Sequence, residues 1–122
     1  MSSLSTVSAP VSALSFDARS RTLLVGMANT LRMYDDGTGV LLGTHAVLPA
    51  GETLHGCAVL DNGLLAVFGV REVRCYPYDS GGRCKLEPPI LAHRFPSRVL
   101  CLEADGRCVV GVGLDSNTVH WV

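Results

Sequence analysis

The stretch SALSFDARSRTLLVGMANTLRMYDDGTG, residues 12–39, carries its own punctuation. An apolar run, SALSF, gives way to a turn beginning at Asp17. A second run, TLLVG, ends on glycine, and after a short turn TLRMY alternates, with Leu31 and Met33 flanking Arg32. That is the two-residue period of a strand, not the 3.6 of a helix. DDGTG then supplies the residues a tight turn needs. The same order returns in GCAVLDNGLLAVFGVREVRCYPYDSGG (56–82) and VLCLEADGRCVVGVGLDSNTVHWV (99–122). Val73 and Cys75 flank Arg74, and Val119 and Trp121 flank His120. The equivalent positions Leu31, Val73 and Val119 lie 42 and 46 residues apart.

A repeat of about 40–45 residues with short strands and regular turns is the spacing of β-propeller blades. The middle runs TLLVG, LLAVFG and CVVGVG are apolar at both parities, so each needs cover on two faces. Sheets stacked between neighbouring sheets provide that cover. Fourth strands are expected at VLLGTHAVL (40–48) and, more weakly, near CKLEPPILAH (84–93), where Pro88 and Pro89 suit an outer edge. No segment has a helical period. The expected fold is all-β, one domain over residues 1–122 made of three consecutive propeller blades. The units fall at about 11–50, 51–92 and 93–122, the last stopping at its third strand. A closed propeller uses at least ~4 blades. The chain is therefore expected to be the first portion of a longer propeller, or to associate so that its open face is covered.

Composition narrows the function. Apolar residues make up 48% of 122 and charged residues 17%, with ten basic side chains against eleven acidic ones. A chain that reads nucleic acid through phosphates carries a basic excess, and this one has a net charge of −1. Contact with RNA is thus expected only as part of something larger, although nine of the ten basic residues are Arg. No apolar run approaches the ~20 residues of a membrane span. The opening MSSLSTVSAPVSALSF lacks a basic n-region, and Asp17 argues against a transit peptide, so a cytoplasmic location is expected. The five cysteines (57, 75, 84, 101, 108) form no C-x-x-C pair and read as reduced, buried thiols.

Two motifs invite a chemical reading. In GETLHGC (51–57), His55 and Cys57 share one side of an extended chain. A zinc site wants four ligands, yet His45, His93 and His120 fall at unrelated repeat positions. A nucleophilic Cys57 would need an exposed, electropositive setting. The structural reading is that Gly56 permits a close approach, Cys57 packs, and His55 stands at a blade rim. DSGG (79–82) echoes a serine-protease loop, but Tyr78 and Arg83 replace the flanking Gly and Pro, and the motif occupies the same turn as DDGTG. No nucleophile elbow or phosphate loop is present. No catalytic residue, metal, cofactor or small-molecule substrate is expected. Arg71, in the turn between second and third strands, Arg74, and Arg94 and Arg98, expected in a connector, come nearest to a basic patch. They read as solvated charges, with a rim contact to a partner as the alternative.

These units resemble degenerate WD repeats. TLRMYD (30–35) is similar to that family's third strand and closing Trp-Asp, with Tyr34 in the Trp place and Asp35 as the Asp; Tyr76 and Val122 hold the later Trp places. His93 stands where the repeat's Gly-His histidine belongs, and Asp115 in the turn before the third strand. No Ser or Thr lies beside Gly113, so the family's internal hydrogen-bond network is incomplete. The succession VSALSF, LLVGMANTLRMYD, TLHGC, AVFGVREVR and GVGLDSNTVHW resembles, over about residues 11–122, the N-terminal propeller of the WD-repeat subunit that partners a tRNA 2′-O-ribose methyltransferase. The most suggestive parts are His55-Gly56, Gly69 and Arg71, and Asp115 with Asn117. The resemblance implies a non-catalytic scaffold, a methyltransferase partner, and tRNA met through the complex during wobble-nucleotide methylation. Members of that family are much longer, so the chain would hold the opening blades. The alternatives are a general WD-type protein-interaction module without an RNA role, and, least favoured, an enzyme using Cys57 with His55.

Overall fold

A computed structural model describes residues 10–60, 63–78, 89–104, 110–114 and 119–121. Eleven strands form among them: β1 Val11–Asp17, β2 Thr22–Met27, β3 Thr30–Asp35, β4 Leu41–Ala46, β5 Gly56–Val59, β6 Leu64–Phe68, β7 Glu72–Pro77, β8 Leu91–Arg94, β9 Val99–Ala104, β10 Val110–Leu114 and β11 Val119–Trp121. They build three antiparallel meanders, β1-β2-β3-β4, β5-β6-β7-β8 and β9-β10-β11. The first strand of each sheet lies beside the first strand of the next, β1 against β5 and β5 against β9. No helix forms among the described residues, so none is long and apolar enough to cross a membrane.

Register decides what each face does. In the first sheet Leu14 pairs with Val25 and Phe16 with Leu23, while Ala13 pairs with Gly26 and Ser15 with Leu24. Direct partners share a face. One face of this sheet thus carries Leu14, Phe16, Leu23, Val25, Arg32 and Tyr34. The other carries Ala13, Leu24, Leu31 and Met33. The second face packs on the second sheet, joining Leu65, Val67, Tyr76 and Tyr78 together with Val47, Leu48 and Leu54 from the β4–β5 connector. The second sheet's far face brings Ala66, Phe68, Val73 and Cys75 against Phe95, Val99 and Leu102. Both faces of β6 are therefore in apolar contact, and Leu65, Ala66 and Val67 are fully buried. Strands apolar at both parities are required by this stacking.

Two expectations shift. The second sheet's outer strand begins only at Leu91, past Pro89, and runs through Arg94, which pairs with Glu72. Arg94 is thus a strand residue rather than part of a connector. The four-residue LAHR segment is too short and too close to proline for its pattern to declare itself. DSGG at 79–82 and the β10–β11 turn with Asp115 and Asn117 lie outside the described residues.

Polar contacts lock the first two sheets together. The Tyr76 hydroxyl donates to the Val47 carbonyl at 2.7 Å, and the Tyr78 hydroxyl to Asp17 Oδ2 at 2.9 Å. Ser12 Oγ donates to the Leu54 carbonyl. Asp17, at 7% exposure, also accepts from the Ser20 hydroxyl, which in turn meets Thr22 Oγ1 at 2.9 Å. Burial alone would raise the Asp17 pKa. Hydrogen bonds from Ser20, Tyr78 and the Arg19 and Ser20 amides outweigh it and leave the carboxyl below its usual range. Burial beside this carboxylate pushes the Tyr78 phenol up to about 12.

Candidate partner-binding rim

Short turns and long connectors gather at one end of the sheets, and backbone hydrogen bonds tie them to each other. In the first sheet the β2–β3 turn is Ala28-Asn29. The Ala28 carbonyl accepts from the Leu54 amide at 2.7 Å, and the Asn29 carbonyl from those of Val47 at 3.0 Å and Leu48 at 3.3 Å. Asn29 Nδ2 closes the clamp on the Leu48 carbonyl at 3.0 Å. The second sheet repeats the device one unit later. There the Arg71 carbonyl accepts from the Phe95 amide and that of Val70 from the Val99 amide, both at 2.7 Å. Both of these turns hold down the connector to the next sheet.

This clamp explains much of the sequence signature. Gly69 N–H donates to the Glu72 carbonyl at 2.9 Å, closing the turn. A Cβ on Gly69 would stand 3.0 Å from Leu48 Cδ1 and 3.2 Å from the Thr53 carbonyl, so the connector's close approach excludes larger side chains. At Gly56 a Cβ would lie 2.2 Å from Phe68 Cε1, its cross-strand partner's ring. His55 N–H donates to the Phe68 carbonyl at 2.8 Å, while its side chain is exposed. His55-Gly56 thus enters the strand under an aromatic ring.

With the backbone engaged inward, the Arg71 side chain projects from the turn, exposed, next to exposed Val70. Arg94 is different: its guanidinium meets Glu72 at 3.3 Å and Glu52 at 3.7 Å. Buried Glu72 also holds Arg74 Nε, so Arg74 is not a free surface charge. Burial penalises the Arg74 charge most, but Tyr76 and Glu72 outweigh it and raise its pKa. The structure therefore brings His55, Gly56, Gly69 and Arg71 together at one end of the second sheet.

Cys57 does not form a reaction centre with His55. It is packed against the first interface, and burial, partly offset by a hydrogen bond with Ser15, raises its thiol to about 11. That is the opposite of what thiolate chemistry needs. Among the described residues no cluster of three His, Cys, Asp or Glu side chains is placed to hold a metal ion. An open cleft of about 540 Å³ lies between β1 and β5, lined by Ser15, Asp17, Arg19, Cys57 and Tyr78 among others. Its carboxylate and phenol are already bonded to each other.

The sequence pointed to the glycines and Arg71 but not to Asn29, Asp17 or Tyr78. Repeat alignment holds the missed signal for Asn29, since it stands two residues before Leu31 as Arg71 does before Val73.

This stacking of antiparallel meanders is that of a WD-type β-propeller, and comparison with solved structures bears it out. The chain is similar to the Saccharomyces cerevisiae Sqt1 crystal structure, with a TM-score of 0.75 at 14% identity over 93% of this chain and 31% of that one. It is also similar to the WD40 β-propeller domain of Doa1, with a TM-score of 0.66 at 17% identity over 82% of this chain and 32% of that one. The chain thus spans about a third of the length of these structures and has a partial WD-repeat propeller fold. No protein-family profile and no curated protein matches it.

Proposed function

We propose that this chain is a non-catalytic scaffold whose rim docks a protein partner in the cytoplasm. That partner is a tRNA 2′-O-ribose methyltransferase acting on the anticodon-loop wobble nucleotide. The carrying observation is the Val70-Arg71 turn. Its carbonyls are spent on the connector, while the Arg71 side chain faces outward beside His55-Gly56. A guanidinium displayed from a rigid turn suits a carboxylate or phosphate on a partner surface. The specific partner rests on the resemblance of the motif succession. It is tested by capturing the tagged chain from cells, blotting for the methyltransferase, and measuring wobble ribose methylation by mass spectrometry. Recovery of the enzyme, weakened at least ~10-fold by Arg71→Glu, is expected. No recovery, with unchanged methylation after deletion of the gene, would refute it.

A second reading is a protein-interaction module with no RNA role. It draws support from charge: Arg94 and Arg74 are neutralised by Glu52 and Glu72, and the net charge is −1. Under this reading Arg71→Glu still disturbs a protein complex, and methylation does not change.

A further inference from the structure

The second sheet is packed on both faces, so the exposure of its turn end does not depend on what covers the first or third sheet. Glu72 pairs with Arg94 across β7 and β8, and the Phe95 amide, one residue on, is bonded to the Arg71 carbonyl. Arg94 and Arg71 therefore meet at one corner. Glu52 reaches the same corner from the β4–β5 connector: its Oε1 would stand 4.0 Å from a Cβ at Gly69, whose amide is closed onto Glu72. Three guanidiniums, of Arg71, Arg74 and Arg94, face two carboxylates, of Glu52 and Glu72. One positive charge is left over.

These charges are not equally committed. Buried Glu72 receives Arg74 Nε on one oxygen and Arg94 Nη1, at 3.3 Å, on the other. Arg94 reaches Glu52 only at 3.7 Å, and its side chain is 62% exposed. Solvent screens a pair that open, so it holds weakly. Arg71 makes no ion pair or side-chain hydrogen bond among the described residues. Exposed Val70 and Pro96 flank it with apolar surface.

We propose that this corner takes an acidic, partly apolar peptide segment of a protein partner, and that Glu52 is its built-in competitor; the proposal rests on the reading of this rim as a docking surface. One ligand carboxylate forks onto Arg71. A second displaces Glu52 from Arg94, while an apolar side chain lies against Val70 and Pro96. Glu52 already shows the chemistry, since Arg94 holds there a carboxylate carried on an irregular segment. Glu72 stays with Arg74, so the sheet beneath is undisturbed. A nucleic-acid backbone fits less well, because it draws its affinity from many cations and this corner has one in excess. Phe68 and Phe95 are buried, and no Phe, Tyr or Trp among the described side chains of this corner is exposed to stack on bases.

Fluorescence anisotropy on the full chain tests this, with a short fluorescein-labelled peptide of alternating Glu and Leu as the probe. Saturable binding that weakens as salt is raised is expected, and the same peptide with Gln for Glu should not bind. Arg71→Glu should weaken binding at least ~10-fold. Glu52→Gln should strengthen it ~2–5-fold, the weight of one exposed ion pair. A residue that merely supported the fold could only weaken it. Urea midpoints check that both variants fold. No saturable binding, tighter binding of a labelled single-stranded oligouridylate than of the peptide, or a Glu52→Gln protein no tighter than wild type would overturn the proposal. Methyltransferase capture is a separate readout. Capture weakened by Arg71→Glu without peptide binding would sink the acidic segment and leave the scaffold reading standing; peptide binding without capture would do the reverse.

Discussion

Gly56→Ala separates a packing role from a signalling one. The backbone at residue 56 is not among the positive-φ glycines, so alanine is conformationally admissible. Space is the obstacle: the new methyl would lie 2.2 Å from Phe68 Cε1 and 2.7 Å from Cζ. The ring must swing into a cluster already filled by Val73, Phe95 and Val99. Overpacking of this kind costs about 1–3 kcal/mol. Lowered chain entropy in the unfolded state returns about 0.4–1 kcal/mol. The net loss should be about 1–2 kcal/mol, or roughly 3–8 °C in Tm for a domain of this size. Phe68→Leu removes the obstructing edge at its own cost of about 1–3 kcal/mol. In that background Gly56→Ala should be neutral to within about 0.5 kcal/mol, a coupling of about 1 kcal/mol or more. Urea titration of the four proteins at one fixed concentration completes the cycle. If Gly56→Ala is silent alone, or equally damaging in the Phe68→Leu background, then the Phe68 ring is not the reason for glycine.

Tyr78→Phe should lose about 1.5–3 kcal/mol, since it removes a hydrogen bond to a buried carboxylate; urea midpoints read this directly. Because Asp17 has a lowered folded pKa, its stabilisation is present above the unfolded value of ~3.9 and is lost as pH falls through the folded one. Asp17→Asn should flatten that acid limb in a pH series of melting curves. Cys57, raised to about 11, works at the other limit: its contribution is full below about 9 and lost as pH rises toward 11. At neutral pH a thiol reagent should modify exposed Cys101 well before Cys57. Ala28 has φ 48°, so Ala28→Gly should stabilise by up to about 1 kcal/mol in the same denaturation assay.

Strand content and stacking were legible because the constraint is local. TLLVG and LLAVFG announce burial on both faces without reference to any distant residue, and Leu24, Leu65 and Val67 are indeed fully buried. Gly56 could be flagged as a close approach and Gly69 only as part of a suggestive motif, but not the Phe68 ring and the Leu48-Thr53 connector that crowd them. The inter-sheet polar lock was illegible: Asp17 and Tyr78 stand 61 residues apart, and no spacing rule joins them. The absence of Ser or Thr beside Gly113 pointed to a weakened network. The molecule instead joins its first two sheets through Asp17, Ser20, Thr22 and Tyr78, with Tyr76 reaching Val47. Arg94 was misplaced because LAHR offers four residues of pattern, and its charge is spent on Glu72 and Glu52.

The clamp turns also explain how one short motif can serve both fold and recognition. At a turn whose carbonyls must hold the next connector, main-chain bonds do the holding whatever side chain stands there: two of 2.7 Å at Val70-Arg71, and three of 2.7, 3.0 and 3.3 Å at Ala28-Asn29. Asn29 and Arg71 occupy equivalent positions, and only Asn29 turns its side chain inward, onto Leu48. The position therefore takes an inward amide in one sheet and an outward guanidinium in the next, although the turns differ in backbone, Ala28 having φ 48° and Val70 no positive φ. Stability constrains the glycine and the carbonyls, while the side chain of Arg71 is left to answer to a partner. Arg71→Ala should accordingly leave the urea midpoint within about 0.5 kcal/mol of wild type. Gly69→Val, which meets Leu48 and the Thr53 carbonyl, should lower it by about 1–3 kcal/mol. An Arg71→Ala protein as unstable as Gly69→Val would mean that the guanidinium holds the fold together, and the rim would lose its claim to be a recognition surface.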